Sequence, residues 1–434
     1  EGTCSHTLTL VDEAEEDVLR TDVIVVEEAR FFLGKDNDSA GSICKTFEQR
    51  SSPLIHVWRS VSGRLAEYRY RDPVPRGTSP AAPARLTTQN LRCTIIIPSL
   101  ESTAVDRPIF QDLVPIPRVW DRMEGVERRL REVTIADTAF LTDIAQHLLS
   151  AGGKRYRPLL AQVAAELGAN AGPEPIEAGV SVELVHLGSL YHDDVIDEAD
   201  SRRGQTSVNT NWDNTVAILA GDFLLARASE VAAPLGEEAV ALIARTYATL
   251  CEGQVKELVW ADDLDHGPEG YHEVIGGKTA SLIRTSARLG AMTGGADDDT
   301  VDAISEWAWE MGMVFQITDD VLDLIASEQF LGKPAGSDIG EGTFTLPVLM
   351  AADGPDGDEI RSLLGGGRPY DQTSIRRVID ITVAGGHIDA SLDEATERIR
   401  IAEKAAQRIP DNPLTTVLEN LDQYLLDRVE SARS

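Results

Sequence analysis

The chain has 434 residues, enough for one large domain or two ordinary ones, and its 42% hydrophobic and 26% charged residues mark a globular protein. Its 72 acidic against 40 basic residues give a net charge of −32, which argues against nucleic acid as a partner and against electrostatic attachment to anionic lipid. Four cysteines without metal-ligand spacing, and no apolar run near the ~18–20 residues of a membrane helix, exclude a disulfide framework and a membrane span and point to a reducing cytoplasm.

Residues 1–105 read differently from the rest. They hold 12 basic and 15 acidic residues, short β-prone runs at 23–26 and 93–97, and a proline-rich, linker-like stretch at 73–83. No constellation of chemically useful side chains occurs there, and the first methionine of the chain is Met123. This region is expected to be an extension of unknown role, accessory or disordered, ahead of a working domain over 106–434. That domain carries 28 basic and 57 acidic residues.

From about Arg118 the periodicity turns helical. Segments 124–133, 141–149 and 159–167 repeat apolar residues at three- to four-residue spacing. Breakers separate such segments: Gly152-Gly153, Gly172-Pro173, Gly276-Gly277, Gly294-Gly295 and the glycines between 332 and 342. No useful alternating strand pattern follows residue 106. The expectation is an all-α fold, a large bundle of ten or so helices.

Along this bundle lie the pieces that carry chemistry. Gly152-Gly153-Lys154-Arg155-Tyr156-Arg157-Pro158 sets three cations behind a glycine pair, in a domain otherwise acidic; glycine lets backbone approach an anion, and the cations supply charge and donors. Then comes Tyr191-His192-Asp193-Asp194-Val195-Ile196-Asp197, whose first and last aspartates leave one face of a helix. His186 lies seven residues earlier on that face, and Arg202-Arg203-Gly204 follows the cluster. Lys278-Thr279 stands after Gly276-Gly277 at an expected helix start. A second cluster, Gln316-Ile317-Thr318-Asp319-Asp320-Val321-Leu322-Asp323, repeats the aspartate spacing, and Lys333 follows Gly332. One acidic pentad in so acidic a chain is ordinary surface. Two of them within apolar stretches are not, because buried carboxylates cost several kcal/mol unless paired or metal-bound. Oxygen ligands of this kind suit Mg2+, which binds through one or two carboxylates plus substrate phosphates. The chemistry this suits is loss of diphosphate from an activated carbon beside a second bound diphosphate.

In this order the motifs resemble those of the trans-prenyltransferases, the isoprenyl (polyprenyl) diphosphate synthase family, over roughly 106–434. The resemblance implies a helical bundle around a central active-site cavity and a homodimer. It implies Mg2+ on Asp193, Asp197 and Asp319 with Asp194, Asp320 and Asp323 in support. It implies an allylic diphosphate on Arg202, Lys278, Gln316 and Lys333 with Thr279 near the reacting carbon, and isopentenyl diphosphate on Lys154, Arg157, His186 and Arg203. The released diphosphate would take the proton, so no protein base is required. Thr343 departs from the pattern, since many members carry lysine there; altered affinity rather than inactivity is expected.

Short-chain members place bulky aromatics about one turn before the first aspartates. Here Gly188 and Ser189 stand there, so the pocket floor is expected to be open and the product long, hexaprenyl or more, such as a quinone side-chain precursor. A geranylgeranyl product is the alternative, and a non-catalytic subunit of a heteromeric synthase a weaker one. Terpene cyclases share the first motif, but Asp319 to Asp323 and the cations Lys154 and Arg157 argue against them.

Overall fold

The computed structural model describes the backbone of residues 57–61, 64–68, 107–327, 334–410 and 413–433, with side chains from residue 110 onward in those ranges. The chain divides into two units, 1–96 and 97–434. In the first, β1 (Val57–Val61) and β2 (Arg64–Tyr68) form an antiparallel hairpin with Val57 opposite Tyr68. The β-prone runs at 23–26 and 93–97 and the stretch at 73–83 lie outside the described residues.

The second unit is the expected all-α fold. Eleven described helices have nine or more residues: α1 (Pro117–Val133), α2 (Tyr156–Ala164), α3 (Glu174–Ile196), α4 (Asn214–Ala232), α5 (Glu237–Val259) and α6 (Gly267–Ile275), then α7 (Ser281–Gly294), α8 (Asp298–Ile325), α9 (Gln372–Ala384), α10 (His387–Ala406) and α11 (Leu414–Arg433). Capping aspartates start several of them. Asp213 and Asp297 accept from the backbone N–H of Val216 and Thr300, each at 2.8 Å, at the heads of α4 and α8.

Helix α3 is apolar on nearly every side, so it is central rather than amphipathic: Val180, Val182, Leu184, Val185, Leu187 and Tyr191 are all buried. It packs against α1, α2, α4 and α7, while α8 packs against α7, α10 and α11. The two aspartate-bearing helices therefore flank α7.

Two local expectations are corrected. The helix expected over 141–149 is broken at Gln146 into Ala139–Ala145 and His147–Ser150, with the Gln146 amide donating to the Arg131 carbonyl at 3.0 Å. Gly276-Gly277 does not end a helix: Gly276–Ala280 is a single π-turn that carries α6 straight into α7. A Cβ on Gly277 would lie 3.0 Å from Gly253 Cα, so glycine there admits α5 rather than stopping the chain. As expected, among the described residues no long strand follows residue 106; there β3 (Ser201–Arg202) and β4 (Gln205–Thr206) form a two-residue pairing.

Candidate active site

The first aspartate cluster ends α3. Burial, and then the neighbouring charge of Asp197 against the opposing pull of Lys278, pushes the Asp193 carboxyl up to about 6. Burial likewise raises Asp197. Asp194, one residue along and thus rotated about 100° around the helix, is fully buried, and Arg202 Nε donates to its Oδ1. Beside it His192 bridges the Tyr247 hydroxyl, at 3.3 Å, and the Ile218 carbonyl, at 3.1 Å. That imidazole occupies the room left by Gly221, where a Cβ would stand 2.3 Å from it.

The cationic loop and the Arg202-Arg203-Gly204 segment meet. Arg203 (φ 54°) and Gly204 (φ 73°) are the two left-handed residues of the β3–β4 turn, the conformation a tight two-residue hairpin requires. From it Arg203 donates to the Gly152 carbonyl. A Cβ on Gly153 (φ 140°) would come within 2.7 Å of the Arg203 guanidinium, so the glycine pair allows this approach. Of the three loop cations, Arg155 turns inward, bonded to Glu127 at 2.7 Å and Glu183 at 3.0 Å. Lys154 is exposed. Arg157 lies 3.3 Å from His186 Nε2. Burial first, then the charges of Arg157 and Arg203, push His186 well below its ordinary range, so it is neutral at pH 7.

The π-turn stands between the two clusters. Lys278 pairs with Glu257 at 2.5 Å, and its charge acts on both Asp193 and Asp197. The next residue, Thr279, donates to Gln316 Oε1 at 2.8 Å on α8. Gln316 in turn donates from Nε2 to Asp320 Oδ1 at 2.8 Å, and the Tyr271 hydroxyl donates to Asp320 Oδ2 at 2.6 Å. Burial and the nearby Asp338 push Asp320 well above its ordinary range. Asp319 is the open member of this cluster, with 45% of its side chain exposed and Arg428 of α11 at 2.9 Å. Asp323 is buried and accepts from the Asp338 N–H at 3.4 Å.

Of the six aspartates, the three expected in support are the ones drawn into the protein: Asp194 by Arg202, Asp320 by Tyr271 with Gln316, and Asp323 by the Asp338 N–H. Among the described residues, no three His, Cys, Asp or Glu side chains come together as a ready-made metal cage. Lys333 lies outside the described residues.

The expected floor residues, Gly188 and Ser189, both lie on α3. The missing side chain of Gly188 points at α4, where a Cβ would lie 3.0 Å from both the Gly221 carbonyl oxygen and Leu225 Cγ. Glycine at 188 thus lets α3 and α4 close on each other. Ser189 is buried, its hydroxyl donating to the His186 carbonyl at 2.9 Å.

Glu257, Tyr271 and Arg428 were not legible in the sequence as parts of this site. Each lies on a helix far from either motif, with nothing in its spacing to single it out.

The Polyprenyl synthetase family model matches residues 138–382. The chain is 39% identical over 321 residues to a nonaprenyl diphosphate synthase of Mycobacterium tuberculosis, covering 72% of this chain and 92% of that protein. Among solved structures, a geranylgeranyl pyrophosphate synthase from Corynebacterium glutamicum, complexed with calcium and isoprenyl diphosphate, is 41% identical with a TM-score of 0.64, over 73% of this chain and 97% of that one. A polyprenyl synthase from Caulobacter crescentus, complexed with the same two ligands, is 33% identical with a TM-score of 0.68, over 73% and 97%.

Proposed function

This chain belongs to the polyprenyl synthetase family, and from that premise we propose that it condenses isopentenyl diphosphate with an allylic diphosphate, using Mg2+, to build a long all-trans polyprenyl diphosphate that serves as a quinone side-chain precursor. It is a trans-prenyltransferase. The observation that carries the detailed reading is the π-turn, whose Lys278 acts on the first aspartate cluster while Thr279 bonds Gln316 beside the second.

Asp193, Asp197 and Asp319 would hold the Mg2+. They fit it: two crowded carboxylates, one pushed up to about 6 by burial and its neighbour, call for a cation. Mg2+ binds through one or two carboxylates and is completed by phosphate oxygens and water. Bound there, Mg2+ supplies positive charge to the departing diphosphate. Lys278, Arg202, Gln316 and Lys333 grip the allylic diphosphate, with Thr279 near the reacting carbon. Arg157, Arg203 and Lys154 hold isopentenyl diphosphate, with neutral His186 as a hydrogen-bonding partner rather than a charge. The allylic C–O bond breaks with its electron pair leaving on diphosphate. The isopentenyl double bond then supplies the electrons of the new C–C bond, and the adjacent proton passes to the released diphosphate.

The nonaprenyl synthase relative supports a long product. The Corynebacterium geranylgeranyl synthase likeness supports a shorter one as the second reading. Purified protein incubated with Mg2+, labelled isopentenyl diphosphate and farnesyl diphosphate separates them. A ladder ending at six or more prenyl units supports the first, and a single geranylgeranyl product supports the second. No elongation from any primer would overturn both.

A homodimer is part of the proposal. Helices α4 and α5, which touch each other, expose Ile218, Leu219, Val255, Leu258 and Val259, the last at 70%. Such a cluster of large apolar side chains on adjacent helices suits a second copy of the chain. Leu219→Glu is expected to convert a dimer to a monomer in light scattering; an unchanged mass sinks this interface. No described helix is long and apolar enough to cross a membrane, and a cytoplasmic location is the companion proposal.

A further inference from the structure

A chain of directional hydrogen bonds leaves the site and ends in the core. Thr279 Oγ1 donates to Gln316 Oε1, Gln316 Nε2 to Asp320 Oδ1, and Tyr271 Oη to Asp320 Oδ2, at 2.8, 2.8 and 2.6 Å. A glutamine amide can turn over at little intrinsic cost, exchanging its acceptor for its donors. In the arrangement seen, both ends of the amide are engaged: its oxygen accepts from Thr279 and its NH2 donates to Asp320. Gln316 is thus held at one end by Asp320, and Asp320 is held by Tyr271.

Tyr271 is 4% exposed and sits on α6, whose C-terminal end runs without interruption into the π-turn carrying Lys278 and Thr279. Its phenol crosses to α8. It thus ties the two elements that deliver Thr279 and Gln316, from within the core. We propose that Tyr271 is a positioning residue for prenyl transfer, acting through Asp320 to hold Gln316 and Thr279 in the arrangement that receives the allylic diphosphate. The inference rests on the function proposed above.

Tyr271→Phe tests it, since the ring still fills the core and only the hydroxyl is lost. The expected result is a fall of about tenfold in kcat/KM for the allylic diphosphate, with KM for isopentenyl diphosphate changed less than about twofold. Binding of geranyl diphosphate with Mg2+ and no isopentenyl diphosphate, followed by calorimetry, should weaken in step, so the effect is seen without turnover. In a Gln316→Ala background the same substitution should cost less than about twofold, because the residue it acts through is gone. Equal losses for both substrates, a full effect in the Gln316→Ala background, or no effect would each overturn the proposal. If Tyr271→Phe does not fold, Asp320→Asn reads the same link by the same split between substrates, and its absence there overturns the proposal equally. Wild-type protein that never condenses the two diphosphates defeats the function itself. Wild-type condensation without the split defeats only the role of Tyr271.

Discussion

Asp193→Asn is expected to lower the rate of condensation at saturating Mg2+ by at least about a thousandfold, the scale of losing a charge-stabilising group at a departing diphosphate. The fold should survive it. Asp193 is already held at a raised pKa by burial and by Asp197, so a neutral side chain of the same shape relieves repulsion rather than creating it. Asp319→Asn should behave alike, with the added consequence that Arg428 loses its partner across α8 and α11. Steady-state turnover read beside far-UV circular dichroism checks both. Activity within tenfold of wild type in either folded variant would remove that residue from the metal assignment. Asp194→Asn offers a contrast: its first effect falls on Arg202, which it holds, so its loss should track the allylic substrate rather than the Mg2+ requirement.

The second large effect concerns stability. Asp422 on α11 is 4% exposed and accepts from Trp307 Nε1 at 3.0 Å. Burial foremost, with the charges of Glu403 and Glu419 adding and the Trp307 bond opposing, pushes its carboxyl up to about 8. The folded protein therefore keeps this proton where the unfolded chain, with a carboxyl near ~4, has lost it. Between those two values folding takes up a proton, and this group alone lowers stability as pH rises, by at most about 1.4 kcal/mol per pH unit. Below about pH 4 both states are protonated and the penalty is absent; above about 8 it is fully developed and constant. Asparagine mimics the protonated acid and still accepts from Trp307. Asp422→Asn is accordingly expected to stabilise the protein by on the order of 3 kcal/mol at pH 7.5 and by almost nothing near pH 4. Urea unfolding of both proteins across that range measures it. A gain independent of pH, or a loss at pH 7.5, would show that Asp422 is not a buried proton-holding group.

The motifs were legible because their chemistry is local. Asp193 and Asp197 share a face through helical geometry alone, and the same holds for Asp319 and Asp323. The cation-rich loop at Lys154 to Arg157 stands out against an acidic chain whatever it folds against. The all-α fold was legible for a similar reason, since apolar periodicity and breakers are properties of neighbouring residues. Even there glycine misled at 276–277, where the missing side chain serves an approaching helix and not a chain stop.

What the sequence by itself determined was the family and the helical class, and it singled out the residue types proposed to gather two diphosphates and a divalent ion. Only the tertiary structure decided which of them face each other and which face inward. It turned Asp194 toward Arg202 and Asp320 toward Tyr271, sent Arg155 to Glu127 and Glu183, and set Gly188 against α4. The physical reason is that these partners lie on different elements, far apart in the chain or turned back on it by a loop. A carboxylate or guanidinium goes inward when a buried counterpart compensates its desolvation, and that counterpart exists only once the bundle has packed.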